Sequence, residues 1–266
     1  MTIPYITPTQ QKIPQQIYRF RFLDRKQIQK ILNHKHHKRI IDWLNDLVEK
    51  EYLEKVSKYN TFEARTKPTI YRIGINGIRF LKTLEGCSEE IIKKLYKDKN
   101  RSEAFISASQ FLADIYLDLK SQRKDNVSYE IITNSDFVSA DSSFHFLTEL
   151  NPNLIYKEIK EHKKRKTSKY FLVEIFETTL PRFSIRKRMR TYLEFYLSNQ
   201  WEDNINIPFP ILKFICPTKA DLIYTKRYAK KLLEENQNPT DLHVQFATVG
   251  EIQKQGFTST PWEEVE

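Results

Sequence analysis

The apolar residues of the first 86 positions change their spacing in a definite order, and this order most constrains the fold. Three consecutive segments have helical spacing, two short β-like segments follow, and another helical segment comes last. The first helix and its exit include Ile17 to Leu23. Asp24 has the position of an N-cap for the second helix, in which Ile28, Ile31 and Leu32 share a face.

The third helical segment carries its apolar stripe at Ile40, Leu44, Leu47 and Val48, and Ile41 and Trp43 are predicted to widen it into the core. The β-like segments are 52–56 and 69–73, and they flank a polar loop. Asn76-Gly77 then opens the fourth helix. This order predicts a winged helix-turn-helix domain over residues 1–90, in which the third helix enters the major groove.

The basic residues are concentrated in this same region. Residues 1–86 hold 17 Lys and Arg against eight Asp and Glu, a net of +9, whereas the other 180 residues have a net of +1. Such an excess is expected where a protein meets a polyanion. The candidate DNA-binding residues are Lys35, His36, His37, Lys38 and Arg39 at the start of the third helix, and Arg65 and Lys67 on the wing.

A solvated helix end and a metal site are the alternatives for the histidine-rich stretch. His34 and His37 could share a helix face, but no cysteine or acid at suitable spacing completes a tetrahedral set. We therefore expect no metal here.

The remainder of the chain changes character after a charged connector at 93–103. Helices are predicted at 105–119, 182–197 and 222–235, and strands at 126–133, 143–150, 154–159, 169–177, 209–216 and 242–249. This order predicts an α/β domain with a mixed sheet over residues 102–260, and hence an α+β protein as a whole.

The order also resembles the restriction-endonuclease-like core. That fold is expected to place an aspartate before one strand and a Glu-x-Lys motif on the next, which together hold a divalent metal for phosphodiester cleavage. Here Asn153 stands at the aspartate position, Glu174 at the glutamate and Phe176 at the lysine. Candidates for a working site are Glu174, Glu177, Glu149 and Lys187, with Mg²⁺ as cofactor only in that case. We expect no nuclease activity.

Helix 182–197 carries a run of basic residues beside Tyr192. Arg186 and Arg190 are candidate contacts to a DNA backbone, with a solvated helix face as the alternative. The lysine-rich run at 163–166 is predicted to be a hairpin loop.

Taken together, these segments resemble the replication-relaxation family, whose members are carried by plasmids and other mobile elements. The similarity lies in YRFRFLDRKQIQ, in VEKEYLEKV around Tyr52, and in TIYRIGINGIRFL from Tyr71 to Gly77. In the second half, NPNLIY corresponds to a Pro-Asp segment and FLVEIFETT to the strand with Glu174. The resemblance implies DNA binding in the replication, copy control or mobilisation of such an element.

Three functions therefore stay open: a sequence-specific duplex-DNA-binding protein of a mobile element, a metal-dependent nuclease, and a transcriptional regulator with a sensor or dimerisation domain. Candidate partners are duplex DNA, a second copy of the chain, and a replication initiator or relaxase. Two isolated cysteines, no signal peptide and no membrane-length apolar run predict a cytoplasmic protein without a membrane partner.

Overall fold

A computed structural model describes residues 3–56, 67–122, 126–138, 142–162, 165–237, 239 and 241–265. The chain divides into two compact units, Met1–Leu117 and Asp118–Glu266. The division lies after Leu117, within the helix predicted at 105–119. No helix in the described ranges is long and apolar enough to span a membrane.

The first unit contains the predicted succession of three helices, two strands and a further helix. Its elements are α1 (Pro8–Phe20), β1 (Leu23–Asp24), α2 (Arg25–Ile31), α3 (His37–Glu49), β2 (Leu53–Val56), β3 (Ile70–Ile73), α4 (Ile75–Leu81), α5 (Glu89–Leu95) and the greater part of α6 (Glu103–Ser121). The short strand β1 was not predicted. It pairs with β3, and the three antiparallel strands have the order β1-β3-β2.

Side-chain caps set the starts of the first two helices. Asp24 accepts from the Gln27 amide, and Gln27 accepts in return from the Asp24 amide, which confirms the predicted N-cap. Thr7 and Gln10 form the same arrangement, so α1 begins at Pro8, well before the segment that its apolar residues predicted.

The stripe of α3 is narrower than the sequence suggested. Ile40, Leu44 and Leu47 are fully buried, as predicted, whereas Ile41 is 36% exposed and Trp43 is only half-buried. The expectation that Trp43 belongs to the core was wrong. Residues 41 and 43 lie on either flank of the stripe, because each is about 100° from its buried neighbour around the helix.

Two glycines allow α4 to approach the end of α3 very closely. A Cβ at Gly74 would overlap the carbonyl oxygen of Glu51, and one at Gly77 would overlap that of Tyr52. The Gly74 amide donates to the Tyr52 carbonyl at 2.9 Å, and Asn76 donates through its side chain to the Lys50 carbonyl at 2.9 Å. The phrase IGING therefore marks a backbone-to-backbone contact.

The charged connector at 93–103 is an integral part of the first unit. Asp98 is buried, and Arg21 binds its carboxylate with two guanidinium nitrogens. The Arg101 guanidinium lies 4.5 Å from the Phe105 ring centre. An acid buried in this way needs its paired cation, because an unpaired carboxylate in a protein interior is strongly destabilising.

The second unit is built on a six-stranded sheet that is mixed, as predicted, but whose last strand was not predicted. Its elements are the end of α6, β4 (Val127–Thr133), α7 (Asn134–Phe137), β5 (Leu154–His162), β6 (Arg165–Ile175), α8 (Arg182–Leu197), α9 (Gln200–Ile205), β7 (Ile211–Cys216), α10 (Lys219–Glu235), β8 (Val244–Thr248), α11 (Val249–Gln255) and β9 (Glu263–Glu264). The strand order follows the sequence, with β6-β7 and β7-β8 parallel and the other pairs antiparallel.

The strand predicted at 143–150 was wrong. His145–Leu147 forms a short 3-10 helix, and Phe144 and Phe146 pack on Trp201 at ring-centre distances of 6.2 and 6.1 Å. The alternation of aromatic and polar residues suggested a strand, but here it serves the packing of a loop against α9. The run at 163–166 includes positions outside the described residues.

A lysine is buried in the sheet beneath the C-terminal segment. Lys213, on β7, is 7% exposed, and its ammonium lies 4.0 Å from the Trp262 ring centre and 5.0 Å from that of Phe171. Burial lowers the pKa of Lys213 to about 7, and the charge of Glu158 opposes this shift. The surrounding rings stabilise the protonated amine only in part.

We predict that Gly77→Ala destabilises the chain by roughly 1–3 kcal/mol, because the added methyl group must displace the Tyr52 carbonyl. Gly250→Ala is the matched control. Nothing lies within 4 Å of a Cβ at Gly250, which is in α11, so this change is expected to be neutral or slightly stabilising. Urea unfolding measures both. Equal free energies of unfolding for the two variants would contradict the close contact.

We predict a pH-dependent difference in stability between the native chain and Lys213→Met. The unfolded chain takes up a proton at Lys213 below its ordinary pKa of 10.5, whereas the folded chain does so only below about 7. The native chain therefore gains unfolding free energy, relative to the variant, as pH rises from about 7 to 10.5. Urea unfolding of both proteins near pH 7 and near pH 10 measures the difference. If the free energies of unfolding of the two proteins change with pH in parallel, the Lys213 amine is solvated and the prediction is contradicted.

Candidate nucleic-acid interface

The start of α3 presents the predicted DNA-binding residues together. Lys35, His36, His37, Lys38 and Arg39 are all exposed. The helix begins at His37, and His36 is its N-cap in an extended conformation, so Lys35 and His36 lie in the turn before the helix. Since Ile40 and Leu44 are buried on the opposite side, the cations are held at a fixed end of a well-anchored helix.

Trp43, which the sequence predicted as a core residue, lies beside these cations. Its ring centre lies 4.9 Å from that of His34 and 5.8 Å from the Arg39 guanidinium. The His34 ring in turn bonds the His36 amide at 3.2 Å. The spacing of four residues between Arg39 and Trp43 could have indicated this contact, because such residues are neighbours on a helix surface.

Asp46, in the last turns of α3, bonds to residues outside the basic cluster. Burial opposes the ionisation of Asp46, but hydrogen bonds from Lys50 and Gln10 outweigh it and lower the pKa of Asp46. Within the described ranges, Lys35, Lys38 and Arg39 have no salt bridge. Of the two wing candidates, Lys67 is exposed just before β3, and Arg65 lies outside the described residues.

A second basic surface lies on α8 in the other unit. Arg186, Lys187 and Arg190 are exposed, and the described residues offer them no salt bridge. Arg188 points differently from its neighbours and is largely buried against the sheet. The basic run thus separates into an outer group and one inward arginine.

The inward arginine binds Glu174, the acid expected in a nuclease-like site. Arg188 donates to both carboxylate oxygens of Glu174, at 2.7 and 2.8 Å, and the Tyr192 hydroxyl donates to one of them at 2.8 Å. Burial opposes the charged guanidinium, but Glu174 outweighs it and raises the pKa of Arg188. Burial and the nearby charge of Glu174 raise the pKa of Tyr192 as well. Arg188 was not predicted, and its role has no signal in the sequence spacing.

The other two nuclease positions also serve the fold. The Asn153 side-chain oxygen accepts from the Ile175 amide at 2.7 Å, and the Asn153 amide donates to the Val173 carbonyl, so Asn153 extends the ladder between β5 and β6. Phe176 is fully buried and stacks on Phe214 at a ring-centre distance of 5.6 Å. Neither residue is available for a reacting phosphate.

These residues do not fit a divalent cation. Mg²⁺ needs several hard oxygen ligands, commonly with more than one carboxylate, whereas Arg188 occupies both oxygens of the one acid. Glu149 and Lys187 are exposed and Glu177 is half-buried, and none of them bonds to Glu174. Among the described residues, no group of three or more His, Cys, Asp or Glu is placed to hold a metal.

We predict that Arg188→Met destabilises the chain by about 3 kcal/mol, because it leaves the Glu174 carboxylate largely buried without a cation. The double variant with Glu174→Gln should cost less than the sum of the two single changes. Lys187→Met, at an exposed neighbouring position, is the control and should change stability by no more than about 0.5 kcal/mol. Urea unfolding measures the free energy of unfolding of each variant. A loss for Arg188→Met as small as that for Lys187→Met would contradict a buried ion pair.

Comparisons with known proteins bear on the chain as a whole. Two solved structures of the restriction endonuclease FokI, one of them described as bound to DNA, are each similar to this chain over 93% of its residues, with 13% identity and a TM-score of 0.26. A TM-score of this size does not establish a shared fold. The chain spans 44% of the FokI chain.

A search of curated proteins gives no match. The sequence model of the replication-relaxation family matches residues 15–208, which include α2, α3 and the β2-β3 pair of the first unit and the Glu174 strand of the second. The resemblance inferred from the sequence is therefore confirmed: this chain belongs to the replication-relaxation family.

Proposed function

We propose that this protein binds duplex DNA at specific sequences and acts in the replication, copy control or mobilisation of a plasmid or other mobile element. The observation that carries the proposal is the cluster of five exposed basic and histidine residues, 35–39, at the start of α3. Membership of the replication-relaxation family supports the biological setting.

The first unit is proposed to be a winged helix-turn-helix. Its order of helix, strand, two helices and an antiparallel strand pair supports this, as does the pairing of β1 with β3. In that arrangement α3 lies in the major groove, where Lys38 and Arg39 reach guanine edges or phosphates. Lys67 and Arg65 then contact the neighbouring backbone from the wing.

The helix start adds a sequence-independent contribution. Amide groups at a helix N-terminus point outward and attract phosphate, and here that end is surrounded by cations rather than acids. Trp43 beside Arg39 provides a flat surface next to the contacts. Contacts to the phosphates position the protein on the duplex, and contacts to the base edges read the sequence.

The second unit is proposed to be a restriction-endonuclease-like scaffold without nuclease activity. The succession of β4-β5-β6, α8, β7, α10 and β8 supports the architecture. The capture of Glu174 by Arg188 and Tyr192 supports the loss of activity. Arg186 and Arg190 on α8 are proposed to contact DNA phosphates. Cleavage of DNA in Mg²⁺ that disappears in Glu174→Ala would overturn this part of the proposal.

The partners follow from the same setting. A second copy of the chain would read the second half of a palindromic site, as dimeric helix-turn-helix proteins do. A replication initiator or relaxase is a further proposed partner. Genome-wide mapping of bound DNA distinguishes these from a transcriptional regulator, since sites at an origin or transfer region support the first and scattered promoters the second.

We predict that Lys38→Ala/Arg39→Ala weakens duplex binding by the full-length protein at least tenfold, because two charge-assisted contacts are lost. If about five phosphates are neutralised, the slope of log affinity against log salt is roughly −4 to −5 in the native chain. In the variant the slope should be less negative by about 2. Fluorescence anisotropy with a labelled duplex measures both quantities.

The control is Lys12→Ala/Lys99→Ala, which removes two exposed lysines of the same unit. It should leave the salt slope nearly unchanged. Quenching of Trp43 emission by DNA, absent in Trp43→Phe, locates the contact at α3. Equal affinities for the two double variants would rule out α3 as the DNA-binding element.

A further inference from the structure

The outer face of α8 is unusual in its charge. Residues 182–190 contain five Lys and Arg and no acid. Glu174 neutralises Arg188, and the other four are exposed without a salt bridge from the described residues. A solvated helix commonly alternates charges of both signs, so four unpaired cations within three turns favour an anionic ligand.

An apolar ring lies among these cations. Phe183 is 64% exposed, and it shares a helix face with Arg186 and Arg190, which follow it by three and seven residues. An exposed phenylalanine leaves its apolar ring in contact with water, which is unfavourable relative to burial. Phosphate groups alone would not recover that cost, because they offer nothing apolar to cover the ring.

The neighbouring helix adds two further rings. The Arg182 guanidinium lies 4.6 Å from the ring centre of Tyr224, and that of Arg190 lies 5.9 Å from the ring centre of Tyr228. Tyr224 and Tyr228 are half-buried one turn apart on α10. Cation–π contacts hold the guanidinium planes in place, and both aromatic rings and arginine planes are surfaces on which bases stack.

We propose that Arg182, Phe183, Arg186, Arg190, Tyr224 and Tyr228 form a second nucleic-acid site whose ligand is single-stranded DNA. Unpaired bases have free faces to stack on Phe183, while the arginines follow the phosphates. In a duplex those faces are already stacked on neighbouring base pairs. The inference rests on the proposed function only in taking DNA as the polyanion, and its residues lie in the other unit.

The experiment uses the full-length Lys38→Ala/Arg39→Ala variant as the background, so that duplex binding by the first unit is reduced. Three labelled probes of equal length are compared by anisotropy: a thymidine oligonucleotide, a duplex, and an abasic strand with the same phosphates. The thymidine strand should bind more tightly than either of the others. Equal binding of the thymidine and abasic strands would overturn the proposal, since stacking would then contribute nothing.

Substitutions on the α8 face give the second test. Phe183→Ala should weaken binding of the thymidine strand about tenfold, and Phe183→Trp should retain it. Arg186→Ala should reduce the salt slope by about 0.7. Tyr5→Ala is the matched control, because Tyr5 is a 77% exposed aromatic residue of the first unit. A Phe183→Ala variant that folds, as its melting temperature shows, and binds like its parent would refute the site.

The two proposals fail separately. If Lys38→Ala/Arg39→Ala leaves duplex affinity unchanged, the proposed function of α3 is refuted, and the proposal of a single-strand site on α8 is unaffected. If Phe183→Ala leaves binding of the thymidine strand unchanged, the α8 site is refuted, and the proposal of duplex binding by the first unit is unaffected.

Discussion

The bond between Glu174 and Arg188 determines how the second unit presents its charges. Two donors from one guanidinium fix the carboxylate, and Tyr192 on the same helix adds a third. Residues two positions apart on a helix differ by about 200° in direction. Once Arg188 points to the sheet, Arg186 and Arg190 must therefore point away from it. One ion pair removes an acid from possible catalysis and orients the outer cations.

In the first unit, a close contact between two backbone segments has the corresponding role. Gly74 and Gly77 let α4 lie against the carbonyl groups of Glu51 and Tyr52, which lie in the turn between α3 and β2. This contact fixes the strand pair relative to the helix that carries Lys38 and Arg39. A rigid helix start matters for recognition, because bidentate contacts to base edges tolerate little displacement.

Buried charged groups are stabilised in two different ways. Asp98 is paired with Arg21, and Glu174 is paired with Arg188, so both buried acids have a cation. Lys213 has aromatic rings around it instead, and its amine adapts by a lowered pKa. The net charge of the second unit is thus a poor guide to its surface, since Glu174, Arg188 and Lys213 lie inside while arginines without a salt bridge from the described residues remain outside.

Much of the fold was determined by the sequence itself. Periodic apolar residues located α2, α3, α8 and α10, the cap at Asp24 set one helix start, and the α3 end of the candidate DNA surface followed from local charge. These features depend on neighbours within a few residues. Trp43, Arg188 and residues 143–150 were decided only by tertiary structure. Whether Trp43 is core depends on what α3 packs against, and the partner of Arg188 lies on a strand 14 residues earlier in the chain. Alternating aromatic residues fit both a strand and a loop packed on Trp201, so only packing could choose between them.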